Sequence, residues 1–245
     1  MKKAVLFLSL VVFFSLKAKS QTAEEIINRY IHNVGGQTWN ELDAVKMKAT
    51  LRQNGMNRQL TIYQTKDGKQ AVIAKIDGKN VTQLAFDGIN LWQTDIATQK
   101  PKKLSPEENR IFMESFQDFP SPFFKYKEKG YAVKNLGTVT KDGIETFKVS
   151  LRQPAIYVDG EETTTVSYYY FEKQNFMPIV IEIIKANRPD IISLGDFREV
   201  EGFYFPYSIS QNLYPISIKE ILINPEIDPK VFQFVDPDED KKESK

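Results

Sequence analysis

Between residues 54 and 88 the chain turns on a regular beat. Asn54-Gly55, Asp67-Gly68, Asp77-Gly78 and Asp87-Gly88 follow one another about every ten residues. Such pairs suit two-residue hairpin turns, where both central positions can need positive φ. Between them apolar residues alternate with polar ones: Val45, Met47, Ala49 and Leu51, then Leu60 and Ile62, with Val72-Ile73-Ala74, Val81 to Phe86 and Leu91-Trp92 after them. A period of two gives a strand one buried face. Short strands joined by tight turns can make a meander, a sandwich or a barrel, and they exclude a βαβ rhythm.

The same pattern returns later. Phe147, Val149 and Leu151 alternate after Asp142-Gly143. Thr163 to Phe171 is rich in the residues that favour strands. Ile179, Ile181 and Ile183 alternate, as do Phe203, Phe205 and Tyr207, and Ile216 to Ile223 supplies a last strand. Two segments break the period. Thr22-Ala23-Glu24-Glu25 is a capping box. Ile26, Ile27, Tyr30, Ile31 and Val34 follow it at helical spacing, and Gly35-Gly36 ends the run. A further helical turn is expected over Trp39 to Leu42. Ser105-Pro106-Glu107-Glu108 opens a second helix, with Ile111, Phe112 and Phe116 on one face and a break at Asp118 to Pro122. About ten strands and two helices predict a mainly β chain: one strongly curved antiparallel sheet with helices lying against it.

The N-terminus addresses the compartment. Lys2 and Lys3 precede an apolar run from Ala4 to Leu16, and Ala18-Lys19-Ser20 offers small residues before a cut near Ser20/Gln21. That is the layout of a cleavable secretory signal over residues 1–20. The expected mature chain, 21–245, has no Gly/Ser-rich or Pro-rich linker, so it reads as one domain with a frayed charged tail from about Asp236. The chain has no Cys. This rules out disulfides, thiol catalysis and acylation at a new N-terminal Cys, so the protein is not itself a lipoprotein. Of 33 Lys and Arg, four lie in the signal, leaving 29 against 32 Asp and Glu. No basic footprint for a nucleic acid results.

Polar chemistry is sparse. His32 is the only histidine and stands off the apolar stripe of the first helix, as a solvated residue does. Metal ligation would fall to carboxylates alone, and no dense carboxylate loop appears. Glu107-Glu108 and Glu161-Glu162 are adjacent pairs, whose side chains diverge on a helix or strand. No phosphate loop or nucleophile elbow is present. Neither a catalytic residue, a metal nor a cofactor is expected. The informative residues are apolar: Trp92, Phe112, Phe116, Phe119, Phe123 and Phe124 exceed what one helix-on-sheet contact needs. A helix laid over an incompletely closed sheet would leave an apolar pocket there.

In order and spacing, these segments resemble the LolA/LolB-like superfamily of outer-membrane lipoprotein-sorting proteins. Ala23 to Gly36 is similar to its N-terminal helix. Phe86-Asp87-Gly88-Ile89-Asn90-Leu91-Trp92 is similar to its turn and Leu-Trp strand. Ser105 to Phe119 falls where a lid helix follows. Phe197 to Pro206 resembles a late aromatic–glycine–aromatic–proline hairpin, and Asn224 to Phe234 resembles the C-terminal segment. The chain departs from the family by extra residues around Gln153 to Glu162. Neither Arg52 nor Arg58 is matched to the arginine that ties lid to barrel in the sorting carrier.

The resemblance implies an unclosed antiparallel β-barrel with an N-terminal helix and a helical lid. It implies a monomeric periplasmic carrier that shields acyl chains of lipoproteins, or a similar apolar ligand, between an inner-membrane releasing complex and an outer-membrane acceptor. The pocket would be lined by Leu60, Ile62, Leu84, Phe86, Trp92, Ile111, Phe112, Phe116 and Phe119. Each CH₂ withdrawn from water contributes about 0.8 kcal/mol. A ligand that leaves one membrane for another therefore needs a dry cavity rather than a catalytic group. An envelope sensor or protein-interaction module on the same fold is the alternative. An enzyme would need converging polar groups that the sequence does not show.

Overall fold

The computed structural model describes residues 21–95, 97–109, 118–158, 161–184 and 189–235. The signal, the tail from Asp236, and Ile111, Phe112 and Phe116 lie outside the described residues. Helix α1 spans Ala23–Asn33. Its capping box forms in both directions, Thr22 N donating to Glu25 at 2.7 Å and Glu25 N to Thr22 at 3.1 Å. Gly35 follows at φ +129°, and a Cβ there would lie 2.6 Å from the Gly202 carbonyl oxygen, so only glycine fits. The expected turn near Trp39 is a 3-10 helix that starts earlier, Gly36–Glu41. Of the second expected helix, residues 106–109 are helical, with Ser105 and Glu108 forming the reciprocal cap at 2.8 and 3.2 Å.

Fifteen strands are described: β1 (Ala44–Gln53), β2 (Met56–Thr65), β3 (Gln70–Ile76), β4 (Lys79–Phe86), β5 (Leu91–Thr94), β6 (Pro101–Lys103), β7 (Ala132–Lys141), β8 (Ile144–Arg152), β9 (Ile156–Val158), β10 (Glu161–Thr163), β11 (Val166–Glu172), β12 (Pro178–Ile184), β13 (Asp190–Val200), β14 (Phe203–Gln211) and β15 (Tyr214–Ile223). Thirteen of them form one antiparallel sheet, ordered β6-β5-β4-β3-β2-β1-β15-β14-β13-β12-β11-β8-β7. β9 and β10 pair separately as a small hairpin inside the stretch where extra residues were expected. The count exceeds ten by five strands: β6, β9 and β10, at three residues each too short to show a period, and the long β7 and β13, whose sequences carry no clean apolar alternation.

The sheet is not closed into a barrel. Its edges explain this. β6 has three residues and begins with Pro101, which lacks an N–H, followed by Lys102 and Lys103. β7 slips register against β8 between Asn135 and Thr138. Short, charged, proline-bearing or bulged edges resist further pairing. The segment from 104 to 131 joins these two edges.

Register separates two faces. Met47 pairs with Ile221 and Ile62, and Ile62 with Val72. These residues share an inner face with Phe203, Phe205 and Ile218, around Trp39 and Leu42. Further along, α1 lays Ile26 and Ile27 on Val149, Leu151, Tyr169 and Phe171. Phe123 is the keystone of that half, 1% exposed, with ring centroids 4.6 Å from Tyr169, 5.5 Å from Phe171 and 5.9 Å from Tyr30. On the outer face Lys141 holds Glu182 at 2.6 Å and Tyr170 donates to the same carboxylate at 2.8 Å.

Phe123→Ala is expected to lower unfolding free energy by about 4 kcal/mol in urea titration, because it empties a fully enclosed site. Burial alone would raise the Glu182 pKa, but the hydrogen bonds from Lys141 and Tyr170 bring it below its ordinary 4.5. Its contribution is therefore present above pH 4.5 and lost as pH falls through the lower folded value. Glu182→Gln should cost about 1 kcal/mol at neutral pH and reduce the loss of stability on acidification, measured by urea unfolding across pH.

Candidate functional site

The inner face carries a cavity of about 220 Å³ where the two halves of the core meet. Its floor comes from β1 and β2 through Val45, Met47 and Gln64, and from the later strands through Tyr169, Ile181, Leu194 and Phe205. Tyr30 of α1, Val34 at its C-terminal cap, Trp39, and residues 119–123 close over it. Trp39 is fixed by donating Nε1–H to the Val34 carbonyl at 2.7 Å and by rings of Phe203, Phe205 and Phe124 at 5.1, 5.3 and 5.5 Å.

Among the described residues, the lining contains no carboxylate, amine, guanidinium, imidazole or thiol. Its ionisable groups are phenols. Burial pushes Tyr169 far above its ordinary range, and it raises Tyr30 against the opposing effect of the Tyr30–Ser121 hydrogen bond. Neither phenol exchanges a proton near neutrality. Among the described residues, no group of three or more His, Asp or Glu could hold a metal ion. The arrangement supports enclosure of apolar groups, with Gln64 as the one amide in the floor.

Asp118 anchors the cover. Its carboxylate accepts from Lys129 Nζ at 2.9 Å, Tyr131 Oη at 3.0 Å and Gln153 Nε2 at 3.2 Å. Tyr30 adds a longer contact to Ser121 at 3.4 Å. The cover is thus pinned at Asp118, and Phe123 and Phe124 reach into both core clusters.

The expected pocket residues fall in different places. Phe119 lines the cavity. Leu60 is buried in the adjoining core, with Ile62 packed against it. Leu84 and Phe86 share the inner face but group with Leu91 and Leu104. Trp92 is a correction. It pairs with Ala85, whose neighbour is Ala71, and that register puts it on the outer face. There it donates Nε1–H to the Phe232 carbonyl at 2.8 Å beneath the C-terminal segment. A one-residue difference in register moves a side chain to the other face, and Leu-Trp gives no alternation that settles it. Sequence reasoning missed Trp39 and Asp118. The alternation of Phe203 and Phe205 was visible, but not that their strand faces Trp39.

A larger cavity, about 460 Å³, lies at the C-terminal segment, between Pro225–Gln233 and the turns at Thr65–Lys69 and Asp87–Ile89. Its carboxylates are engaged locally. Asp67 meets Lys69 at 2.7 Å, and Asp87 accepts from Ile89 N and Asn90 N at 2.8 and 2.6 Å. The inner cavity, lined mainly by apolar and aromatic side chains, is the better enclosure.

No family model and no curated protein matches the sequence. Solved structures do match the fold. A LolA superfamily protein from Nitrosomonas europaea aligns over 88% of this chain and 99% of its own, with a TM-score of 0.55 at 12% identity. The chain has the LolA-type fold. A DUF1329 family protein from Desulfovibrio piger aligns over 86% and 97% at TM-score 0.54 and 12% identity. A domain from Vibrio parahaemolyticus assigned to outer membrane lipoprotein sorting aligns over 85% and 94% at TM-score 0.50 and 13% identity. At these identities the likeness concerns the LolA-type fold itself.

Asp118→Ala should lower stability by about 2 kcal/mol, since it strands three donors around a buried carboxylate site. Limited proteolysis should then cut within residues 118–131 before any strand is cleaved.

Proposed function

We propose that the chain is a periplasmic carrier that binds acyl chains of lipoproteins, or a similar apolar ligand, in its half-barrel and shields them from water. One observation carries this reading: a cavity without charged groups, on the inner face of an unclosed sheet, under a cover held by a few polar contacts. At about 220 Å³ the cavity is smaller than the roughly 300–1,000 Å³ of ordinary ligand sites. Loading therefore requires the 119–123 segment to lift, and Asp118 is the group that holds it down. The LolA-type fold supports the same reading, as do the N-terminal signal and the missing Cys, which fit a soluble carrier rather than an anchored receptor.

A carrier between membranes needs little net affinity relative to lipid. Acyl chains gain about 0.8 kcal/mol per CH₂ from leaving water, whether for a bilayer or for the cavity. Transfer is then near balance, and no bond is made or broken in the ligand. The protein acts as a monomer, receiving from an inner-membrane complex and delivering to an outer-membrane acceptor, without metal or cofactor.

Native mass spectrometry of the protein from its own periplasm tests this. Co-purifying lipid or lipopeptide is expected, with at least a tenfold loss on Met47→Glu, about what one buried aliphatic side chain contributes. Far-UV circular dichroism should be unchanged in that variant. A clean apo mass, together with no uptake of added palmitate, would rule out the carrier and favour a protein-interaction module.

A further inference from the structure

Five hairpins turn through two residues that both have positive φ. Four of them end on glycine: Asn54-Gly55, Asp77-Gly78, Asp142-Gly143 and Glu201-Gly202. The fifth is Asn212-Leu213, at φ +48° and +72° between the paired residues Gln211 and Tyr214. A leucine is disfavoured in that conformation, and glycine or asparagine is the ordinary solution. Leu213 is also 92% exposed, so no packing offsets its strain. Its turn is held firmly: Asn212 N donates to the Ile191 carbonyl at 2.9 Å, Asn212 Oδ1 accepts from Ile191 N at 3.1 Å, and Asn212 Nδ2 donates to Asp190 at 3.1 Å. The fold presents this side chain rigidly to solvent.

Leu213 is not isolated. The antiparallel order puts the β1–β2 tip, the β14–β15 tip and the ends of β12 and β13 along one rim, on neighbouring strands, and the separate β9–β10 hairpin leaves the same rim between β8 and β11. Met56 (55% exposed), Tyr214, Ile184, Ile191 and Tyr157 (63% exposed) stand there. From β2 to β8 this rim crosses seven strand spacings, roughly 34 Å along the sheet. The opposite rim is where the end of α1 docks, Tyr204 N donating to the Val34 carbonyl at 3.0 Å. Arg52, Arg58, Lys75 and Lys79 flank the two adjoining tips, and among the described residues none of them is in an ion pair. Only Asp77 opposes them within those tips.

We propose that this rim docks on the surface of an anionic lipid bilayer, with Leu213 entering the apolar layer and the four cations meeting headgroup phosphates. An exposed leucine next to the cation-bearing β1–β2 and β3–β4 tips matches that interface in both respects: the side chain enters the acyl boundary and the charges stay at the headgroups. Docking does not depend on the inner cavity being filled, so it stands or falls separately from the carrier reading.

The test is co-sedimentation of protein, isolated from cells expressing the full chain, with phosphatidylcholine vesicles with and without phosphatidylglycerol. Binding to the anionic vesicles is expected, weakening with salt and far weaker on phosphatidylcholine alone. Leu213→Gly should cut it about tenfold, as loss of one inserted leucine does. The same variant should melt at the wild-type temperature or above it, because glycine relieves the turn. Lys75→Glu with Lys79→Glu should remove the preference for anionic lipid. The proposal is overturned by absent binding to anionic vesicles, or by Leu213→Gly binding as the wild type does. Self-association lost in Leu213→Gly, without vesicle binding, would overturn it too and make the rim a contact between copies.

Discussion

The pairing of β1 with β15 is the contact on which the rest depends. Seven residue pairs, from Val45–Ile223 to Leu51–Ile216, join the two ends of the described chain in the middle of the sheet. Without them there would be two separate meanders, β1 to β6 and β7 to β15, each with one more open edge. Their union makes an inner face wide enough for Trp39 and α1 to lie on. Such a contact brings together residues far apart in sequence, so it closes a long loop and forms late relative to the hairpins.

The outer edges β6 and β7 remain apart, and this is what leaves room for a site. A closed barrel of side chains would be filled. Here residues 119–123 of the segment joining the edges lie on the inner face, and Phe123 and Phe124 bind the two core clusters together. Most of this cover is held by aromatic contact, which is non-directional and easily re-formed elsewhere. Asp118 supplies the directional hold. The division suits a structure that opens without unfolding, since the strands keep their own ladders.

Charge is placed to keep the inside dry. The pairs Lys48–Glu220 and Lys141–Glu182 lie on strands, at 2.5 and 2.6 Å, away from the cavity lining. Lys148 lies 4.4 Å over the Tyr168 ring. These contacts dress strand surfaces at modest net gain. The described cavity lining has phenols and one amide instead, which tolerate hydrocarbon beside them and do not ionise near neutrality.

The sequence by itself determined the local elements. Period-two alternation, the Asn-Gly and Asp-Gly turns and the Thr22–Glu25 and Ser105–Glu108 capping boxes depend on near neighbours only, and each appears where those neighbours place it. A curved antiparallel sheet followed from their sum, and that it stays unclosed was implied by the resemblance. The three-residue strands β6, β9 and β10 were not legible, since so few residues carry no period, and neither were β7 and β13, whose apolar residues do not alternate. Which residues meet was decided by tertiary structure alone. Trp92 faces outward under Phe232, while Trp39, after an unpromising Gly-Gly, faces the cavity. Register across the sheet turns Trp92 of β5 outward, while the 3-10 helix Gly36–Glu41 lays Trp39 on the inner face. Asp118 looked like a helix breaker until the fold brought Lys129, Tyr131 and Gln153 to it. Leu213 was one more apolar residue until its turn proved to be a place for glycine. Local patterns need only chain neighbours, whereas a site is made by contacts between strands that no local pattern records.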